Sequence, residues 1–271
     1  MGKIILLNTP IGNLGDVTSR VKEALQEGEF FAVEDTRMFK DLLNLLGVSL
    51  SGKRIISFHD HSKPEEIDWL LDQAKEKDLY LASDAGSPMI SDPAYPLIKR
   101  AYERDIEVDS YSGVSAPIMA LELSGLPPIP FHFHGFFPRE KGSKEKIFEA
   151  LDTGTHIFFE APTRVEETLD IASHFNFEIA VVRELSKKFQ QTYRFHSKDW
   201  KSHQHELTYK GEFVLLFYQK DSKKALDKEL TNLAQEIYEK GATPKQLSKL
   251  LSQLLDIPTK DIYSSLTKSK N

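Results

Sequence analysis

Apolar residues recur along this chain in short runs separated by amphipathic stretches, and the rhythm reads as strand, helix, strand, helix. Ile4, Ile5, Leu6 and Leu7 predict a buried strand over residues 3–8. A helix follows over 16–27, with Asp16 the expected cap and Gly28 just past the end. Residues 30–34 predict a second strand, and 36–46 a helix closed by Gly47. Further strands are expected at 54–58, 79–83 and 106–110, with helices between them. Strands alternating with helices predict a largely parallel sheet covered on both faces.

The rhythm breaks at residues 124–130, where Pro127, Pro128 and Pro130 make a stiff linker. Beyond it, strands are expected at 131–135, 156–160 and 178–183, with helices at 143–151 and 164–175, then hairpin-like segments ending in a strand over 212–218. This predicts a second, mixed sheet. From Ala225 onward the pattern is helical, broken near Pro244 and Pro258, and reads as three short helices. The expected fold class is α/β: an αβα domain over residues 1–126, a second α/β domain over 127–221 and a helical appendage over 222–271.

The most informative loop, Ser83-Asp84-Ala85-Gly86-Ser87-Pro88-Met89-Ile90-Ser91-Asp92-Pro93, follows an apolar strand and precedes a helix over 93–104 that Pro93 can open. It therefore falls at the carboxyl end of a strand, where open α/β sheets bind ligands. Gly86 permits close approach to the backbone, Asp84 can accept hydrogen bonds, and the prolines lower the entropy lost on binding. Thr9 to Leu14, Glu34 to Arg37, Ser112 to Ala116 and Phe158 to Arg164 also fall at or near strand ends. The Thr9 to Leu14 loop lacks the glycine spacing of a dinucleotide fingerprint or a phosphate loop.

With 271 residues, the chain has room for two domains. The absence of cysteine excludes disulfides, thiolate nucleophiles and cysteine-ligated zinc. The apolar run 4–7 is too short for a signal-peptide core and nothing later approaches a membrane span, so a cytoplasmic protein without a membrane partner is expected. His59/His61, His132/His134 and His203/His205 pair imidazoles two residues apart but supply no third ligand at a familiar spacing, so no metal site is expected.

Charge is unevenly spread. The net charge of −6 disfavours a uniformly basic nucleic-acid binder, yet residues 222–271 carry nine Lys against six Asp or Glu, leaving an acidic body with a basic tail. Residues 183–201 hold a local +4, from Arg183, Lys187, Lys188, Arg194, Lys198 and Lys201 against Glu184 and Asp199, interleaved with Phe189, Tyr193, Phe195 and Trp200. Such a stretch can contact phosphates and stack on unpaired bases; equally, it can be a strand pair whose aromatics are core.

Taken in order and spacing, Thr9 to Leu14, Glu34 to Arg37, Ser83 to Pro93, Gly113 to Ala116, Phe136 to Arg139, Phe159 to Arg164 and Gly211 to Leu215 resemble the ribosomal RNA small subunit cytidine-2′-O-methyltransferase I family. That family is a branch of the tetrapyrrole methylase-like enzymes. The resemblance runs from Lys3 to about Ile262. It implies two αβα domains with S-adenosylmethionine in the cleft between them, and a homodimer acting on a decoding-region cytidine of 16S ribosomal RNA in the small subunit. Carried over by position, Pro10, Asp84, Gly86, Ser87, Met89, Ser115 and Ala116 line the cofactor site from the first domain, and Pro162 and Phe213 approach it from the second. Val114 stands where the family commonly has proline, and Ala161-Pro162-Thr163-Arg164 where it has Ser-Pro-His-Arg, which removes a hydroxyl and an imidazole.

Methyl transfer to a ribose hydroxyl needs alignment and exclusion of water, helped by a nearby base or cation. The candidates are Glu34, Asp35, Arg37, Glu160 and Arg164, with structural ion pairing as the alternative use of each. Arg183, Lys187, Lys188 and Arg194 are the first candidates for RNA contact, with Arg139, Lys141, Lys144 and the C-terminal helices next. Two other classes remain open: methylation of a tetrapyrrole or other small metabolite, and a noncatalytic RNA-binding assembly factor. A small substrate needs neither the basic-aromatic stretch nor the appendage.

Overall fold

A computed structural model describes residues 2–59, 62–90, 94–220, 237, 243–255, 259–260 and 262–263. The first half forms a five-stranded parallel sheet in the order β3-β2-β4-β1-β5, from β1 (Ile4–Leu7), β2 (Phe30–Val33), β3 (Arg54–Ser57), β4 (Leu79–Ala82) and β5 (Val108–Tyr111). Because the pleat alternates, Ile4, Leu6, Phe30, Ala32, Leu79 and Leu81 face α3 (Pro64–Glu76) and α4 (Ala94–Glu103), whereas Ile5, Leu7, Phe31 and Val33 face α1 (Ser19–Glu27) and α2 (Thr36–Leu45). Asp68 of α3 joins Arg100 of α4 and Arg104 just past its end at 2.6 and 2.5 Å, bracing the outer layer.

Helix boundaries follow local chemistry. The cap of α1 is Thr18, which accepts from the Val21 N–H, and not Asp16, which lies in a single turn of 3-10 helix over Leu14–Asp16. Asp35 caps α2, and Gly47 follows that helix at φ +69°. Pro93, expected to open α4, lies outside the described residues.

The second sheet has the order β6-β7-β10-β8-β9, from β6 (Phe131–Phe136), β7 (Gly154–Glu160), β8 (Glu178–Arg183), β9 (Gln191–His196) and β10 (Phe213–Gln219). Only β6 and β7 pair in parallel; β7-β10, β10-β8 and β8-β9 are antiparallel, so the sheet is mixed as its hydrophobic pattern suggests. Phe213, Leu215 and Phe217 of β10 face a core with α6 (Lys141–Ala150), α7 (Val165–Ala172) and the short α8 (Trp200–His203). The aromatics there interlock: Phe217 lies 4.9 Å from Phe148 and 5.7 Å from Phe177 between ring centroids. Val214 and Leu216 face the opposite way.

What covers that opposite face is α5 (Ala116–Ser124), whose Ala120 and Leu121 pack with Ile157, Ala180, Val182, Val214 and Leu216. By sequence position α5 belongs to the first unit; by packing it is a layer of the second. The chain thus crosses between the two sheets ahead of α5, earlier than the proline linker at 127–130 that marks the expected boundary. Gly125, at φ +64°, closes α5, and Arg194 of β9 donates to the Leu123 carbonyl at 2.6 Å. Of the appendage expected at 222–271, the helix Pro244–Leu255 is described; most of the remainder lies outside the described residues.

Candidate functional site

The loops at the carboxyl ends of β1, β4 and β5 are stitched together by backbone. Thr9 and Gly86 form an isolated antiparallel bridge, Thr9 N–H to Gly86 O at 2.9 Å and Gly86 N–H to Thr9 O at 3.1 Å. The Asn8 side-chain amide adds a bond from Nδ2 to the Tyr111 carbonyl at 2.7 Å, and Gly113 lies so close to Asn8 that an added Cβ would fall 2.6 Å from its Cβ. Gly86 sits at φ +81°, and a Cβ there would meet Ile11 Cγ2 at 3.2 Å. Only glycine takes that conformation without strain.

Facing these loops is one end of the second sheet. The end of β7 and the start of β10 lie side by side because the two strands are antiparallel, with Phe213 paired to Glu160. Between the two sets of loops runs a cavity of about 420 Å³, lined chiefly by apolar groups of Ile11, Ala85, Phe159, Pro162, Leu185 and Val214. A second lobe of about 160 Å³ shares Ile11, Ala85, Ala116, Phe136 and Phe159 and adds Gly86, Ser87 and Ser115. An apolar cleft with a few polar groups is the usual form of a small-molecule site.

Gly86, Ser87, Ser115, Ala116, Pro162 and Phe213 therefore all line the two lobes. Of the three expected residues that line neither lobe, Met89 packs against the first-sheet core, and exposed Asp84 accepts the Asp35 N–H at 3.0 Å, tying the β4 loop to the β2 loop. Pro10 is half-buried beside Ile11 and is not among the lining residues. Ile11, Phe136, Phe159 and Leu185 were not singled out as lining residues by sequence reasoning. Single apolar residues in loops or at strand ends carry no signal of their own; only the convergence of the strand ends distinguishes them.

The charged candidates divide by environment. Glu160 lines the larger lobe, but its side chain is fully buried and its oxygens are committed. It accepts from the Ala161 N–H at 2.8 Å and the Thr168 hydroxyl at 2.7 Å, and it pairs with Arg164 at 2.8 Å and Lys144 at 3.3 Å. Lys144, also fully buried, donates to Thr168 at 2.8 Å and reaches Glu167 at 3.0 Å. Lys144 is thus no part of an RNA-facing surface; it neutralises the carboxylate behind the Ala161-Pro162 wall. Nη1 of Arg164 is buried with no hydrogen-bond partner among the described residues. Arg37, whose side chain is 86% exposed, pairs with Asp35 at 3.1 Å. That side-chain contact, with the helix-cap N–H bonds of Arg37 and Met38, holds the Asp35 carboxyl down at about 2, so it remains an anion at neutral pH. Glu34, at the end of β2, has no cationic partner among the described residues.

The basic stretch is dismantled by its own fold. Arg183, only 8% exposed, donates to the Lys210 carbonyl at 2.6 Å and to Gln191 at 2.9 Å. Lys187 packs on Gly12 and pairs with Glu212 at 2.9 Å and Glu184 at 3.4 Å. Arg194 is spent on α5, as described above. Phe195 and Trp200 are core and Tyr193 packs against it. Of the four first candidates, Lys188 and Arg194 remain exposed, Lys188 next to outward-facing Phe189 and Arg194 with its guanidinium bonded to the Leu123 carbonyl, while Arg139 and Lys141 are exposed at the start of α6.

Of the histidine pairs, His134 and His156 bond ring to ring at 2.9 Å, and His156 reaches the Asp152 carbonyl at 2.8 Å. His134 stacks on Phe158. Burial, with the neighbouring imidazoles, pushes its pKa down to about 4. Among the described residues no three His, Asp or Glu side chains converge to hold a metal, and His61 lies outside them.

Residues 3–201 match the family described as Tetrapyrrole (Corrin/Porphyrin) Methylases. The chain is 36% identical to a protein named ribosomal RNA small subunit methyltransferase I from Streptococcus pyogenes serotype M3, covering 97% of this chain and 93% of that one. It is 35% identical to the protein of the same name from Bacillus subtilis, covering 98% and 94%. Among solved structures, a diphthine synthase superposes with a TM-score of 0.60 at 14% identity, over 79% of this chain and 89% of that one. The methyltransferase CobJ gives 0.58 at 16% identity, over 81% and 95%.

Proposed function

The chain belongs to the tetrapyrrole methylase family and groups with its ribosomal RNA small subunit methyltransferase I members, and on that premise we propose that it methylates the ribose 2′-oxygen of a decoding-region cytidine in 16S ribosomal RNA, using S-adenosylmethionine. One observation carries the reading: the two-lobed apolar cleft between the strand ends of the two sheets. Its residues fit the cofactor. The glycine cradle at Gly86 lets a ligand reach the backbone, Ser87 and Ser115 offer hydroxyls, and the Phe159, Leu185 and Val214 walls suit a flat ring and an aliphatic stem. Bound there, S-adenosylmethionine would supply an electrophilic methyl group on a sulfonium.

What this chain contributes is alignment and dryness. The Thr9–Gly86 bridge and the Asn8 amide hold the first set of loops in place before binding, while the buried Lys144–Glu160–Arg164 cluster holds the Ala161-Pro162 wall. Glu160 serves as an ion-paired support and not as a proton acceptor. Asp35, held anionic as the α2 cap with Arg37 on it, orients the Glu34 loop against Asp84. Glu34, which lines neither lobe and has no cationic partner among the described residues, is the remaining candidate to take the 2′-hydroxyl proton. On this reading the enzyme works as a homodimer in the cytoplasm on the small subunit, with no metal.

The test is transfer of labelled methyl from S-adenosylmethionine to small subunits purified from cells lacking the gene, followed by nucleoside analysis. Label in 2′-O-methylcytidine is expected. Label on a base, or none in RNA while a corrin or porphyrin precursor is methylated, would refute the assignment.

A further inference from the structure

Lys188 and Phe189 stand at the tip of a loop that is bonded internally at almost every residue. Glu184 and Ser186 adopt left-handed backbone at φ +53° and +62°, a conformation that non-glycine residues hold only when their surroundings enforce it. The enforcement is visible. The Glu184 N–H donates to the Glu212 carbonyl at 2.9 Å, and the Glu212 N–H returns a bond to the Glu184 carboxylate at 3.0 Å. Lys187 N–H donates to Glu184 O at 3.0 Å, Gln190 N–H to Lys187 O at 3.1 Å, and Ser186 N–H to the Gln190 side chain at 2.7 Å. Arg183 reaches over the tip to the Phe189 carbonyl at 3.3 Å, and the Ser186 hydroxyl donates to Asp16 across the cleft.

This rigid loop holds the large apolar side chain at its tip in solvent. Phe189 is 63% exposed, and the Lys188 ammonium lies 5.6 Å from its ring centroid with no carboxylate partner among the described residues. Burying Phe189 in the protein would be the default for an aromatic residue. Four residues back, Leu185 lines the cofactor cavity. A preorganised aromatic face beside an unpaired cation has the chemistry that receives a stacked base and its phosphate.

We propose that the Lys188-Phe189 tip is a stacking platform for an unpaired nucleotide next to the one being modified, Phe189 taking the base and Lys188 the phosphate. The other cations of the stretch, Arg183 and Lys187, act on this contact only by holding the loop. The proposal rests on the RNA-directed reading above, and binding and methyl transfer are measured separately so that the two fail differently.

The full chain is prepared as Phe189→Trp, Phe189→Leu and Phe189→Ala, and equilibrium binding to small ribosomal subunits is read by filter retention and, for Phe189→Trp, by tryptophan fluorescence. Stacking predicts that Phe189→Trp binds like the wild type and is quenched by subunits, whereas Phe189→Leu and Phe189→Ala bind about five- to a hundredfold more weakly with unchanged S-adenosylmethionine affinity. Wild-type affinity in Phe189→Ala would overturn the proposal. So would Phe189→Leu matching Phe189→Trp without quenching, which would mark an apolar contact with a ribosomal protein. If wild type and variants follow the stacking pattern but transfer no methyl group, the platform stands and the methyltransferase reading falls. If the wild type does not bind subunits at all, both fall.

Discussion

Replacing Lys144 with methionine tests whether a buried charge cluster supports the cofactor cleft. In the native protein the Glu160 carboxylate is fully buried and balanced by two cations, Arg164 at 2.8 Å and Lys144 at 3.3 Å. Lys144→Met retains most of the volume of the lysine stem but leaves Glu160 with Arg164 and two neutral donors. Removing one partner of a buried pair costs about 3–5 kcal/mol. Because Arg164 stays in place, the lower end applies, about 3 kcal/mol, or roughly 5–10 °C in Tm for a protein of this size. Thr168 also loses a donor, so the loss should not fall below that of an ordinary buried hydrogen bond. The double variant Lys144→Met/Glu160→Gln removes the orphaned charge and should regain part of the loss, which distinguishes electrostatics from packing. Urea denaturation gives the stability of Lys144→Met, Glu160→Gln and the double variant, and calorimetry gives S-adenosylmethionine affinity, expected to weaken in Lys144→Met because Ala161 and Pro162 line the cavity. A single variant within 1 kcal/mol of wild type, or a double variant whose loss equals the sum of the single changes, would refute the reasoning.

Three other outcomes follow from the geometry. Gly86→Val should abolish detectable cofactor binding while the protein remains folded, since position 86 sits at φ +81° with its Cβ direction 3.2 Å from Ile11; calorimetry on the folded variant checks it. Gly211→Ala should weaken cofactor binding as well, because a Cβ there would fall 2.3 Å from Glu184 Oε1 and displace the β10 entry; a wild-type Kd would contradict this. His134 has its pKa depressed in the folded state to about 4 by burial, so the unfolded chain binds its proton first, and His134 contributes stability that is present above its ordinary value of 6.5 and lost as pH falls toward about 4. His134→Phe, which keeps a ring against Phe158, should show a smaller drop in unfolding free energy between pH 7 and pH 5 than wild type; equal drops would remove His134 from that titration.

Hydrophobic periodicity alone was enough to define two α/β units, the parallel character of the first sheet and the mixed character of the second, because strand and helix periods are local properties of consecutive residues. The Ser83 to Pro93 loop stood out as a candidate ligand loop for the same reason, its place directly after an apolar strand, whereas Gly211 to Leu215 entered only through the family resemblance. Charge was not legible in this way. Arg183, Lys187 and Arg194 look in sequence like one basic surface with Lys188, yet each points at a different partner, namely the Lys210 carbonyl, the Glu212 carboxylate and the end of α5. Lys144 looks like a solvent-facing helix residue and is the most buried cation of the site. Helix α5 belongs to the first unit by position and to the second by packing. In every one of these cases the deciding partner is distant in the chain, and long-range contacts depend on how two sheets meet, a relation that no local spacing encodes.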